Sequence, residues 1–219
     1  MRTAFSLGFV AILGLLGASQ ARASTSYCNS VGLNLVQDCG FELASSSLVD
    51  WALSGNTTNP PGGFDGSEYG TAAGDADTGS LGLYIGPFGS PMTISQNLTL
   101  NVGTEYDISF ELKQDLLNPD PSVYTQSFSA SFGSTLLVSL LNPVAAGSFV
   151  KYSYANVVAT ATSEALAFSF QNDDSYWSFD DVVVTAVPTP EPNSFVLLGS
   201  LIAMLGVLAA RKRRKAFLG

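Results

Sequence analysis

MTISQNLTLNVGTEYDISFEL, residues 92–112, decides the fold. From Met92 to Leu100 apolar and polar residues alternate, and Tyr106, Ile108, Phe110 and Leu112 continue the same period of two. Side chains on an extended strand point to opposite faces in turn, so this pattern predicts half-buried antiparallel strands. Asn101 to Thr104 lies between them as a turn. Working outward, strands are expected at 81–85, 127–132, 135–141, 149–160, 165–171 and 177–185, with Gly, Pro and Asn as punctuation. No long apolar pattern at helical spacing occurs between Ser24 and Val187. Short strands at this spacing point to an all-β fold, a sandwich or a barrel. One segment breaks the rhythm. Ser54 to Ser80 is Gly-rich, carries Asp65, Glu68, Asp75 and Asp77, and offers Phe64 and Tyr69 as aromatics. At that length it is expected to be either a mobile surface loop or a binding loop.

Composition removes several chemistries. The 219-residue chain contains no histidine, which excludes Ser-His-Asp and Cys-His triads and the common zinc ligand sets. Seven of the nine basic residues sit at the two ends, at Arg2, Arg22 and 211–215. Only Lys113 and Lys151 are left between residues 24 and 194, against all 18 acidic residues. That charge argues against nucleic acid, whose phosphates require Lys and Arg, and makes divalent cations reasonable partners. Cys28 and Cys39 are the only cysteines. An even count in an exported domain favours a disulfide, worth ~3 kcal/mol for a loop of about a dozen residues. The alternative, a reactive thiol, would have no histidine to activate it.

The ends carry targeting signals. Residues 1–23, MRTAFSLGFVAILGLLGASQARA, combine Arg2, an apolar core and a small-x-small Ala21-Arg22-Ala23. This is the pattern of a signal peptide, so a signal peptidase is an expected partner and Ser24 the expected mature N-terminus. The alternative is an N-terminal anchor. At the other end, about 195–210, FVLLGSLIAMLGVLAA is uncharged and is followed by the basic tail 211–215, RKRRK. As a helix it would reach about 24 Å, short of the ~30 Å hydrocarbon core unless Arg211 snorkels or the bilayer thins. A buried core helix is the competing reading. The positive cluster assigns the tail to the cytoplasm and the acidic domain to the outside. Pro188, Pro190 and Pro192 hold the preceding stretch extended, as a processing cleft requires.

Pro190-Glu191-Pro192, an apolar helix and an Arg-rich end, in that order at the extreme C-terminus, resemble the PEP-CTERM sorting signal of Gram-negative bacteria. The resemblance implies processing by an exosortase, transient membrane anchoring, and release or attachment at the cell surface, in the company of exopolysaccharide and biofilm. The expected organisation is a signal peptide at 1–23, an ectodomain at 24–187 and a sorting signal at 188–219.

Asn34-Leu35-Val36-Gln37-Asp38-Cys39-Gly40-Phe41-Glu42, followed by Trp51, resembles the opening strand of galactose-binding-like jelly rolls, which include carbohydrate-binding modules. Phe179-Asp180-Asp181-Val182-Val183-Val184 resembles their closing strand. The resemblance implies a β-sandwich whose first and last strands are neighbours, with a structural calcium at Glu42 and at Asp180 or Asp181. Alternatively, Glu42 caps the strand and the Asp pair is solvated. Asp38-Cys39 stands where Asn-Gly is usual, and a Cys28–Cys39 bridge would reshape that turn. For sugar, Tyr124, Tyr176 and Trp177 are the candidate stacking aromatics, with Asn172, Asp173 and Asp174 as nearby acceptors. The competing reading places these aromatics in the core.

Three function classes follow. The leading one is a non-catalytic surface or matrix protein that binds polysaccharide. The second is a purely structural or adhesive component, and the third a carboxylate-dependent glycoside hydrolase. No pair among the acidic residues is singled out for the hydrolase by sequence.

Overall fold

The computed structural model describes residues 25–43, 48–57, 69–114, 124–144, 146–188 and 204. The signal-peptide segment, Phe64, Asp65, Glu68 and the Pro190-Glu191-Pro192 motif lie outside the described residues. So does the apolar stretch 195–210 apart from Met204. No helix among the described residues is long and apolar enough to cross a membrane.

Two five-stranded antiparallel sheets make up the described domain. In chain order the strands are β1 (Ala52–Gly55), β2 (Tyr69–Ala72), β3 (Gly82–Ile85), β4 (Met92–Thr99), β5 (Glu105–Gln114), β6 (Gln126–Phe132), β7 (Thr135–Leu141), β8 (Val150–Val158), β9 (Ser163–Asn172) and β10 (Trp177–Ala186). The first sheet runs β1-β4-β9-β6-β7 and the second β2-β3-β10-β5-β8. A short helix, α1 (Tyr27–Ser30), lies in the N-terminal segment.

The alternation in residues 92–112 becomes the two inner faces. Met92, Ile94 and Leu98 of β4 and Ile108, Phe110 and Leu112 of β5 are buried. The turn at 101–104 is present, with the Thr104 N–H donating to the Asn101 carbonyl at 3.0 Å. It joins no hairpin. It carries the chain from the first sheet to the second, since β4 pairs with β1 and β9 whereas β5 pairs with β10 and β8. Between the sheets the aromatic rings interlock: Phe168 of β9 lies 4.7 Å from Phe179 of β10, and Phe110 lies 5.2 Å edge-on from Phe168. Such pairs add about 0.5–1.5 kcal/mol each beyond the area they bury.

β10 departs from the expected alternation, being buried on both faces from Trp177 to Val184. The N-terminal segment and the loop before β3 cover its outer side. Asn34 to Val36 are not a strand but an extended arm tied to β10. The Leu35 N–H donates to the Val184 carbonyl at 2.9 Å, and the Asn34 amide bonds both the Val182 carbonyl and the Val184 N–H. The first and last segments are thus neighbours. Phe41, fully buried, stacks on Trp51 at 5.5 Å between centroids. The Ser54–Ser80 segment is not wholly a loop: residues 69–72 pair with β3, and Tyr69 packs against the core.

Candidate functional site

The last strand bulges between Asp180 and Val183, where Asp181 takes a φ of 52°. The bulge breaks the alternation, so two adjacent carboxylates are both buried. Each has its own donors. Asp180 Oδ2 accepts the N–H groups of Asp77 (2.8 Å) and Thr78 (3.1 Å). Asp181 Oδ1 accepts from the Ser26 hydroxyl (2.6 Å) and the Cys28 N–H (3.0 Å), and its Oδ2 from the Thr78 hydroxyl (2.6 Å). Glu42 Oε1 accepts the Ser80 N–H at 2.7 Å. Gly79, at φ +80°, passes so close to Glu42 that a Cβ there would lie 1.8 Å from Oε1. No other residue fits this position without displacing the carboxylate.

The structure therefore brings Glu42, Asp180 and Asp181 to one loop, residues 77–81. Burial, and then the negative charge of Asp181, push the Asp180 carboxyl up to about 8. Neither Asp180 nor Asp181 is ion-paired among the described residues, where the ion pair present joins Lys151 to Glu111 at 3.9 Å. No group of three or more His, Cys, Asp or Glu is placed to hold a metal ion among the described residues. As they stand, the three carboxylates are acceptors for protein N–H and O–H groups. The Cys28–Cys39 disulfide, 6.0 Å between Cα atoms, anchors the segment that supplies two of these donors.

The sugar candidates divide. Trp177 is 1% exposed, packed 6.0 Å from Phe128, and its indole N–H donates to the Gln171 carbonyl. It is a core residue and presents no face for stacking, because its ring packs against Phe128 between the sheets. Tyr124 and Tyr176 flank one end of the sandwich. Tyr176, 37% exposed, meets Tyr84 edge-on at 5.4 Å. Gly86 leaves room for it, since a Cβ there would lie 2.8 Å from the Tyr176 ring. Tyr124, half-buried, precedes Thr125, whose backbone is locked to Asp173: the Thr125 N–H donates to Asp173 Oδ2 at 2.9 Å and its carbonyl accepts the Asp173 N–H at 3.1 Å. Asp173 Oδ1 also takes the Gly89 N–H and the Gln171 amide, so this carboxylate clamps loops together.

Where β5 ends and β6 begins lies an amide cluster that sequence reasoning missed. Gln114 donates to Gln126 Oε1, and Gln126 Nε2 reaches Asn172 Oδ1 at 3.5 Å. All three residues are buried. Among the described residues, Gln114 Oε1, Asn172 Nδ2 and Asp174 Oδ2 have no hydrogen-bond partner. Each such atom costs about 1–3 kcal/mol unless something pairs with it. Gln114 also lines a pocket of about 30 Å³ beside Tyr152 and Trp177, room for a single oxygen atom with its protons. The signal was in the sequence: Gln114 continues the inward series Ile108, Phe110, Leu112, and Gln126 begins the inward series Phe128, Ala130, Phe132. A polar residue at an inward position needs a partner. Gln96 of β4 shows the contrast, because its amide is satisfied by both backbone groups of Gln37.

No family model and no curated protein matches this chain. Among solved structures it is similar to a family 61 carbohydrate-binding module in complex with β-1,4-galactotriose, at 15% identity and TM-score 0.50, covering 70% of this chain and 99% of that one. It is also similar to a cyclase from Fischerella sp. TAU, at 18% identity and TM-score 0.51, covering 71% of this chain and 97% of that one. A third is the enzymatically active domain of tailspike protein 4 of bacteriophage CBA120, at 15% identity and TM-score 0.50, covering 71% of this chain and 22% of that one. The fold is an all-β sandwich like that of carbohydrate-binding modules; the same fold carries cyclases and a tailspike domain.

Proposed function

We propose that this chain is a non-catalytic polysaccharide-binding protein of the bacterial cell surface or matrix. The observation that carries the reading is the end of the sandwich where Tyr124 and the exposed Tyr176 adjoin the loops that Asp173 clamps together. An exposed tyrosine ring receives the C–H face of a pyranose, and its hydroxyl both donates to and accepts from sugar hydroxyls. The similarity to a module solved with galactotriose supports the class of ligand.

The non-catalytic reading is supported by the carboxylates that cluster: Asp180 and Asp181 are buried and capped, and offer no pair facing across a cleft. A purely structural or adhesive surface role is the alternative. A depletion pull-down on the exopolysaccharide of the producing cells separates the two. Binding above that of an equally acidic control protein is expected; binding equal to the control contradicts the proposal.

Export, transient anchoring and exosortase processing at Pro190-Glu191-Pro192 belong to the same proposal, on the strength of the C-terminal sequence. Calcium at Glu42, Asp180 and Asp181 is part of it on donor chemistry alone: two adjacent buried carboxylates without an ion pair are what a hard cation neutralises. A rise in Tm at millimolar calcium but not magnesium supports that assignment, and no shift retires it.

A further inference from the structure

Away from the tyrosine-flanked end, the second sheet carries on its outer face a groove of about 370 Å³. Its floor is a set of cross-strand neighbours: Val183 opposite Ser109, Ser109 opposite Ser153, and Thr185 opposite Asp107. One wall is Tyr27 and Val31 of the N-terminal segment, the other Lys151 and Ala155 of β8. Asp107 at the groove and Gln114 at the amide cluster are seven residues apart on β5, about 23 Å along an extended strand. The two places share no residue.

The groove is preformed. Its floor is sheet. Its Tyr27 wall is fixed by the adjoining disulfide of Cys28 and by the Tyr27 N–H, which donates to the Thr78 hydroxyl at 2.6 Å. Tyr27 is 45% exposed, and the Lys151 ammonium lies 4.7 Å from its ring centroid, so the two walls meet where Lys151 reaches the ring. Asp107 uses Oδ1 to accept the Asn156 N–H at 3.0 Å; among the described residues its Oδ2 is not engaged. The volume lies within the range of small-molecule sites.

The lining selects its ligand. Val31, Val183, Ala155 and the Tyr27 ring give apolar patches, and Ser109, Ser153, Thr185 and Asp107 give hydroxyls and a carboxylate between them. A ligand that alternates C–H faces with hydroxyls at this scale is a pyranose. Charge narrows it further: Lys151 is already 3.9 Å from Glu111, and Asp107 adds a second negative charge on a chain of net charge −9. Uronates and sulfated sugars are repelled. We propose that this groove is a second saccharide site that takes neutral pyranose units, independent of the Tyr124–Tyr176 end.

The test uses the full chain and amide hydrogen exchange with neutral trisaccharides of galactose, xylose and glucose, and with trigalacturonate. A neutral trisaccharide is expected to protect 105–109, 151–155 and 183–185, whereas trigalacturonate does not. That protection should persist in Tyr176→Ala and weaken roughly tenfold in apparent affinity in Tyr27→Ala. Because Tyr27→Ala also disturbs the N-terminal segment, Ser153→Phe serves as a second variant: it fills the exposed side of the groove and should abolish protection there. No protection of these three segments by any neutral trisaccharide, or protection unchanged in Ser153→Phe, overturns the second site. If the Tyr124–Tyr176 end is protected in that case, the proposed function stands without the groove.

Discussion

Asn34 and Val184 are joined across 150 residues of sequence: the Asn34 side-chain oxygen accepts the Val184 N–H at 2.9 Å. The same amide donates to the Val182 carbonyl at 3.0 Å, so one side chain satisfies two backbone groups of the buried last strand on either side of Val183. The link exists because β3 pairs with β10 only as far as Phe179, which leaves the polar groups of that edge at Val182 and Val184 to the N-terminal arm.

Asn34→Ala strips both partners at once. Two buried backbone groups are left unpaired, and the expected loss is roughly 2–4 kcal/mol, a large part of the ~5–15 kcal/mol that holds a domain folded. Denaturant unfolding should show a lowered midpoint with unchanged slope. A variant as stable as wild type would mean the arm contributes little to the fold.

Much of this was legible in the sequence, and the reasons differ by element. The alternation in 92–112 gave strands because their inner faces are wholly apolar up to Gln96 and Gln114. It could not say that the turn at 101–104 changes sheets, since period two fixes the faces and not the partners. The resemblance of the N-L-V and F-D-D-V segments implies that Asn34 and the last strand are neighbours, yet Asn34 to Val36 form no strand because one backbone bond, from Leu35, and the Asn34 side chain take the place of a ladder. Of the two readings the sequence leaves open for Trp177, stacking or core, the fold takes the core: an aromatic at the head of a central strand looks the same in sequence whichever face it takes. The carboxylate cluster was named, but its loop partners Asp77, Thr78 and Ser80 were not, because they sit within a Gly-rich segment with no periodic pattern.

The buried carboxylates set the response to pH. Asp180 titrates from 3.8 up to about 8 on folding. The folded chain therefore holds a proton that the unfolded chain has lost, and this stabilisation is complete below 3.8 and disappears as the pH rises through about 8. Asp77 and Glu111 are raised as well, by burial first and neighbouring acids next, although Lys151 opposes both. Glu164 acts in the other direction. Hydrogen bonds from the Thr160 hydroxyl and the backbone of the 160–161 turn hold it below 4.5, so its contribution is lost as the pH falls. With a chelator present, stability should decline between pH 5 and 8 with a slope approaching ~1.4 kcal/mol per unit for one proton. Asp180→Asn should flatten that slope. A wild-type stability that rises across this window would contradict the assignment.

Processing is read most simply from mass. Native protein from membrane, surface and medium fractions should begin near Ser24 and end near Pro190 to Pro192. It should keep Gly219 only in cells lacking the exosortase. A chain that ends at Gly219 in both strains would contradict exosortase processing at the Pro-Glu-Pro motif.

The most direct measurement is affinity electrophoresis of the full chain through native gels containing neutral polysaccharide, comparing wild type with Tyr124→Ala/Tyr176→Ala. The account predicts that wild type is retarded in proportion to polysaccharide concentration. The double variant, with a Tm near that of wild type, should lose roughly tenfold or more in apparent affinity. Wild type running at the same mobility with and without polysaccharide, or a double variant retarded as strongly as wild type, would contradict polysaccharide binding at this end of the sandwich.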